Sequence, residues 1–486
     1  MIVLDGASLT PAEVAAVAFG GAAVELAPEA RTRNLAARAA IADLLARGQE
    51  LYGATTGVGA LRDVRIADSE RERYQWNLLR SHAVDAGPAI APELVRAGMV
   101  VRANQLGAGG AGVVPELLDG LIAALNTGAT PFVRRLGSLG TGDLAALAAV
   151  ALALLGEGFV WRDGRAEPAA PLICAELSLR DALGFMSSNA FTAGHAAMLA
   201  IEARELQGAW LAVAALSFEA LEADPVVFDA RVQAAVGAPG QVEVARRMRE
   251  LLAGSLADDA PDRLVQGPYP FRVVPQVDGV TDDALNRLEV IVGRELNARP
   301  ENALIDAGDA LPNGNFHAGQ LAAALDGLRS ALAQSASLIA ARVSSLLDPA
   351  TTGFTRFLAG RPGVESGVMM LEYTAHSAAA EMRSLATPMS AQAVWASLGA
   401  ESHGSLAATA ARRTAECLES MRVVVACELV VAMRALRARG RRTHAAGTSR
   451  LAELAREALP GELSDRAFGL EVVEASEILR AWSASA

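Results

Sequence analysis

Cysteine is nearly absent from this chain of 486 residues: Cys174, Cys417 and Cys427 are all it has. So sparse and odd a set argues against a disulfide framework and points to a reducing cytoplasm. Aromatic residues are scarce too, at 4%, although 52% of the chain is hydrophobic. Alanine, leucine and valine must then do the packing, which suits closely spaced helices. Long apolar runs are missing, since the uncharged stretch Leu144 to Leu155 falls far short of the ~20 residues of a membrane span. The N-terminus meets Asp5 almost at once and shows no basic stretch leading into an apolar one, so no secretory signal is read there. Positive charge is in deficit. A formal net charge of −12 without a Lys/Arg-rich run excludes nucleic acid as a natural partner. No Gly-x-Ser-x-Gly elbow supports a serine hydrolase, and no repeat of fixed period is seen.

Glycine, by contrast, is plentiful and placed at intervals. Residues 1–200 alternate helical patterns with glycine-rich breaks at Gly53 to Gly59, Gly107 to Gly112 and Gly137 to Gly142. Loops of this kind often carry function. Over 201–486 the breaks thin out and the apolar periods lengthen. The chain therefore divides, on sequence, into a loop-rich N-terminal helical domain, 1–200, and a long-helix bundle with a small helical tail, 201–486. Asn315 to Leu347 reads as one long helix stopped by Asp348-Pro349, and His403 to Arg439 as another ending on Gly440. Gly367 to Ala386 reads as a helix between them. Rods of that length normally lie in a bundle. Three prolines within Pro268 to Val277 predict an extended or looped insertion, which carries Tyr269 and Arg272.

Leu51-Tyr52-Gly53-Ala54-Thr55-Thr56-Gly57-Val58-Gly59 sets one tyrosine among three glycines, a turned backbone able to bring a phenol close to a ligand. A phenol with a reference pKa near ~10 is a weak base and needs cationic or dipolar help to act as a phenolate. The plain alternative is a buried tyrosine that stabilises a turn. Gly137-Ser138-Leu139-Gly140-Thr141-Gly142-Asp143-Leu144 runs into an apolar helix, which Thr141 or Asp143 would cap and Gly156 would end. The Tyr52 loop lacks the Lys-Ser/Thr ending of a phosphate loop. Arg272 could clamp a carboxylate bidentately or pair with an acidic neighbour. Glu372 and His376 are helically spaced, a pattern commoner in surface pairs than in metal sites, and no metal is expected.

Taken in order, these segments resemble the histidine and aromatic amino acid ammonia-lyase family, which includes aminomutases. Tyr52-Gly53 through Gly59 is similar to the family's tyrosine loop, and Leu79-Arg80-Ser81-His82-Ala83 to its pocket segment. Arg102-Ala103-Asn104, Pro115-Glu116-Leu117, Gln266-Gly267-Pro268-Tyr269 with Arg272, Pro275-Gln276-Val277 and Glu295-Leu296-Asn297 follow. Gly314-Asn315-Phe316-His317, Leu347-Asp348-Pro349, Tyr373-Thr374-Ala375, Glu381 and Glu401-Ser402-His403 complete a resemblance spanning residues 45–440. It implies a mainly α fold, a long central helical bundle of the ammonia-lyase/fumarase type with a loop-rich N-terminal domain. It also implies a homotetramer with shared active sites, a small-molecule amino acid substrate, and elimination of ammonia to an α,β-unsaturated acid without a dissociable cofactor. By position, Tyr52 is the implied base for the β-proton, and Arg272 the implied carboxylate anchor. Tyr269 and Asn189 would support electrophile and substrate. Phe316 would pack near the electrophile, Glu381 would face the amine or side chain, and His82 would lie against the side chain.

The family cyclises Ala-Ser-Gly to a methylidene-imidazolone electrophile, and this chain offers Gly140-Thr141-Gly142, one residue shorter and without the serine. Gly142 still supplies an unhindered nitrogen, whereas dehydrating Thr141 would leave a methyl on the electrophilic carbon. A family glutamine is replaced by Ala400, and a family asparagine by Thr55, which lowers hydrogen-bonding capacity. The expectation is a cytoplasmic carbon–nitrogen lyase acting on an aromatic or histidine-like α-amino acid or a close analogue. Two alternatives stand beside it: an eliminase that uses the same pocket without the electrophile, and a non-catalytic ligand-binding homologue.

Overall fold

The computed structural model describes residues 1–255, 266–392, 394–440 and 445–483, and it is mainly helical, as expected. The chain forms two compact units. The first comprises Met1–Ile201, Leu288–Leu325 and Pro388–Arg412, and the second Glu202–Arg287, Asp326–Thr387 and Arg413–Ala486. Among the described residues no helix is long and apolar enough to cross a membrane.

In the first unit, helix Pro92–Gly107 starts on a proline, where the missing N–H is no loss, and is buried without a break from Val95 to Gly107. Small residues let another helix approach it closely. A Cβ on Gly98 would meet the Phe191 ring at 2.7 Å, and one on Gly194 would meet the Ala97 backbone at 2.8 Å. Helix Ala190–Leu221 therefore begins against Pro92–Gly107, with its first residues fixed in place. Each of the unit's small sheets has two strands. Ile2–Leu4 pairs in parallel with Val24–Leu26; the other pairs are antiparallel, Ala86–Ala89 with Arg134–Leu136, Phe159–Arg162 with Arg165–Pro168, and Leu304–Asp306 with Asp309–Leu311.

The second unit is built from long helices. Ala190–Leu221, Val274–Leu296, Gly319–Leu347 and Ala407–Ala438 each contribute residues to it, with Met369–Leu385 entirely inside it. Alanine and leucine fill its core around Trp210 and Phe218, and the Phe218 ring touches Phe228 and Phe271 at 4.9 and 5.1 Å. Polar ties fix the register. Arg342 holds Glu428 through two nitrogens at 2.7 and 2.9 Å, and Ser217 donates to the same carboxylate at 2.8 Å.

Three expectations need correction. Pro268–Val277 is not an extended insertion: it holds the short helix Tyr269–Arg272 and the first residues of Val274–Leu296. Pro270 and Pro275 each fall in a first helical turn, where the N–H has no intrahelical partner and a proline costs nothing. The helix Leu144–Leu154 has Asp143 at its N-cap position, yet neither Asp143 nor Thr141 caps it. The Asp143 carboxylate accepts instead from the backbone and hydroxyl of Thr192, at 2.8 and 2.9 Å, and Thr141 donates to Glu401. Glu372 and His376 are helically spaced on Met369–Leu385 as read, and Ser344 bridges them, its Oγ lying 2.6 Å from Glu372 and 3.2 Å from His376. Two long helices also start later than their apolar pattern. Asn313 takes the Asn315 N–H at 2.8 Å and Ser405 takes that of Ala407 at 3.3 Å, so turns precede Gly319 and Ala407.

Candidate active site

The Tyr52 loop is folded by its own backbone. Gly53 adopts φ +76°, and a Cβ there would meet the Leu183 side chain at 2.4 Å, so both conformation and space require glycine. Thr55 Oγ1 accepts the Leu51 N–H at 2.8 Å, and Gln75 donates to the Gly53 carbonyl at 3.2 Å. The loop closes on the phenol, whose oxygen accepts the Gly59 N–H at 2.7 Å. A buried guanidinium adjoins it, with Arg180 Nε donating to the Tyr52 carbonyl at 3.0 Å.

The glycine loop is pinned from both sides. Ser405 donates to the Gly140 carbonyl at 2.9 Å, Leu406 N–H to the Leu139 carbonyl at 2.9 Å, and a Cβ on Gly140 would meet Ser405 Oγ at 2.0 Å. Gly142 N–H donates to Asn189 Oδ1 at 3.2 Å, and the Asn189 amide nitrogen donates to the Phe316 carbonyl. Thr141 Oγ1 donates to Glu401 Oε2 at 2.8 Å. Asp143 N–H donates to the Ser188 carbonyl at 2.6 Å, which ties the loop to the start of Ala190–Leu221. Burial pushes the Asp143 carboxyl up, and burial together with the Asp143 charge pushes Glu295 up to about 7. Glu295 is thus poised to exchange a proton near neutrality.

Residues 9–457 match the profile of the aromatic amino acid lyases. The chain belongs to the aromatic amino acid lyase family. This lyase is 40% identical over 494 residues to the histidine ammonia-lyase of Geobacillus thermodenitrificans (strain NG80-2), covering 99% of this chain and 97% of that protein. Its fold matches the ergothioneine-degrading ergothionase of Treponema denticola with a TM-score of 0.94 at 27% identity, covering 99% and 98% of the two chains. It also matches the tyrosine aminomutase of Streptomyces globisporus with a TM-score of 0.93 at 28% identity, covering 100% and 98%. The lyase is therefore a carbon–nitrogen lyase, with amino-acid-like substrates.

Of the expected site residues, the structure links Gly142, Asn189 and the Phe316 backbone carbonyl by hydrogen bonds, while Thr141, next to Gly142, donates to Glu401. Tyr52 is held in its own loop. His82 ends helix Arg71–His82 with Nδ1 2.9 Å from the Leu78 carbonyl, and burial lowers its pKa, favouring the neutral ring. Tyr269 and Arg272 lie in the other unit, paired by a cation–π contact of 5.6 Å, with Arg272 Nη1 donating to Gln266 at 2.5 Å. Glu381 is exposed on Met369–Leu385 in that same unit.

Sequence reasoning did not select Glu401 or Arg180 as site residues, nor the His317–His403 pair, whose Nε2 and Nδ1 are 3.0 Å apart. Glu401, His317 and His403 sit in segments whose motif resemblance was already visible. No spacing signal marks Arg180. The residues present do not fit a methylidene-imidazolone. The loop has one residue between Gly140 and Gly142, and it is a threonine whose hydroxyl is bound to Glu401. A ring closed there would carry threonine's methyl on the exocyclic carbon, where attack is expected.

Proposed function

We propose that this lyase removes the α-nitrogen of an imidazole-bearing α-amino acid, or of a close analogue, and leaves an α,β-unsaturated acid. The observation that carries the reading is the Tyr52 phenol, whose oxygen receives a backbone N–H in a loop of a full-length relative of histidine ammonia-lyases. A donor on that oxygen fixes where it points, which a base needs in order to reach its proton. Tyr52 takes a proton from the β-carbon, the C–H pair becomes the new double bond, and the C–N bond breaks. Nitrogen that starts as an ammonium keeps the bonding pair and leaves as a neutral amine, so no further proton is needed. Arg272 is assigned to the substrate carboxylate, supported by Tyr269 against its guanidinium. His82, Asn189, Phe316 and Glu381 are assigned to substrate contacts, in a homotetramer with shared active sites.

One observation favours a second reading of the leaving group. Gly140-Thr141-Gly142 does not fit the family's electrophile, and the fold is similar to an ergothioneine-degrading enzyme. A histidine analogue with a permanently cationic, alkylated nitrogen needs no electrophile to depart. The test is to offer histidine, its Nα-trimethylated betaine, phenylalanine and tyrosine, and to follow the ultraviolet absorbance of the arylacrylate with the intact protein mass. Turnover of an imidazole substrate, lowered on the order of 10²–10⁴-fold in Tyr52→Phe, supports the reading. No arylacrylate from any of the four would end it. A mass short by two waters would restore the ring and favour histidine itself.

A further inference from the structure

The tyrosine loop and the glycine loop are both held by one short knuckle of chain. Residues 396–401 close on themselves, with Ala396 N–H donating to the Glu401 carbonyl at 2.9 Å, Glu401 N–H to that of Ala396 at 3.3 Å, and Ala400 N–H to that of Ser397 at 3.0 Å. At its end the Glu401 carboxylate takes the Thr141 hydroxyl at 2.8 Å and so reaches the glycine loop. At its tip Ser397 reaches the tyrosine loop, where its Oγ accepts the Ala60 N–H at 3.0 Å. One residue earlier, the Gly59 N–H donates to the Tyr52 phenol oxygen at 2.7 Å. Consecutive amides of the turn Gly59–Leu61 therefore hold the serine and the phenol. The approach is close enough to require glycine, since a Cβ on Gly59, at φ +59°, would meet Ser397 Oγ at 2.6 Å.

Backbone strain at the tip of the knuckle points to a use for it. Ser397 and Leu398 both lie in the left-handed region, at φ +53° and +54°, a conformation that is costly for any residue with a Cβ. Burial does not offset the cost, because Leu398 is 95% exposed. A turn that needed only its shape would be better served by glycine at 397. Serine adds a hydroxyl there, and that hydroxyl engages Ala60. Building on the assignment of Tyr52 as base, we propose that Ser397 is a positioning residue for the elimination: its hydroxyl fixes the turn whose Gly59 N–H sets where the phenol oxygen points. Ser397 itself need not touch substrate. A base must lie within hydrogen-bond reach of the proton it takes, and a misplacement of about 1 Å can cost on the order of 100-fold in rate. Loss of one clamp on an otherwise intact loop should cost part of that.

Ser397→Gly removes the hydroxyl and relieves the backbone at once, so a structural role and a positioning role predict opposite results. The unfolding midpoint of the whole enzyme should hold or rise. With histidine or its Nα-trimethylated betaine as substrate, kcat should fall about tenfold while KM changes less than about twofold. In a Tyr52→Phe background the same substitution should cost less than about twofold more, because a residue that acts through the phenol has nothing left to position. Hydrogen exchange of residues 51–61 reads the clamp without any substrate, and should quicken in Ser397→Gly although the midpoint does not drop. Losses that add in the double variant, a loss confined to KM, an unchanged kcat, or exchange of 51–61 that matches wild type each overturn the proposal. Should Ser397→Gly not fold, Ser397→Ala, which keeps the left-handed backbone, must show the same fall in kcat and the same quickened exchange. Turnover retained by Tyr52→Phe overturns the base assignment itself, whereas the exchange measurement decides separately whether Ser397 holds the turn.

Discussion

Each compact unit buries an Arg–Glu pair with a third charged group beside it, and the third groups have opposite sign. In the first unit Arg102 and Glu301 are joined by a second cation, Arg180. In the second, Arg342 and Glu428 are joined by a second carboxyl, Asp278, which is 0% exposed. The two surpluses are discharged differently. Burial pushes Asp278 up to about 6 against the pull of Arg342, so the bundle sheds its extra charge by binding a proton as pH falls through that value. A guanidinium held at about 10 has no such escape. The first cluster keeps its charge across the neutral range, and the second loses its surplus only in mild acid. A buried charge cluster therefore keeps or loses its net charge according to whether its surplus member can titrate.

The largest expected effect breaks the second cluster. Arg342→Met would strand Glu428 as a buried anion, and urea unfolding should show a loss of about 3–5 kcal/mol. Arg180→Gln, which removes a surplus charge and not one half of a pair, should cost less than half of that. Equal losses would mean that Arg180 is as structural as Arg342, and the contrast between the clusters would fall.

A smaller effect follows from the proton on Asp278. Its folded pKa of about 6 lies above the ordinary aspartate value of 3.8, so the folded protein binds that proton more tightly than the unfolded chain. The resulting stabilisation is complete below the unfolded pKa and is lost as pH rises through the folded one. Asp278→Asn should therefore match wild type near pH 4 and exceed it near pH 7, by on the order of 1–3 kcal/mol. Denaturation midpoints measured across that range check it, and parallel curves for the two proteins would sink the assignment.

The fold was largely legible because its signals are local. Alanine-rich periodicity fixed the long helices of Gly319–Leu347 and Ala407–Ala438, and glycine spacing fixed the loops at Tyr52 and Gly140. Errors arose where one residue has two uses. Pro270 and Pro275 were read as breaking a helix when they begin one, and Asp143 as a cap when a residue 49 positions away claims its carboxylate. The loop's contacts were partly legible by resemblance, since Gly142, Asn189 and the Phe316 carbonyl do meet. The charge balance around Tyr52 was not. Arg102, Arg180 and Glu301 are separated by up to 199 residues, and their surplus is a property of the packed chain that no spacing encodes.

The smallest effect comes from a pair outside both clusters. Arg31 and Asp119 meet through two nitrogens at 2.5 and 3.2 Å, closer than the buried Arg102–Glu301 pair, yet their side chains are 45% and 46% exposed. Water screens them, and two long side chains lose freedom to hold one geometry. Asp119→Asn should change stability by about 0–1 kcal/mol, and moderate salt should erase the difference. Distance alone would rank this pair first and burial ranks it last. A loss comparable to that of Arg342→Met would show that contact length governs these ion pairs, and the distinction between the two buried clusters would lose its physical basis.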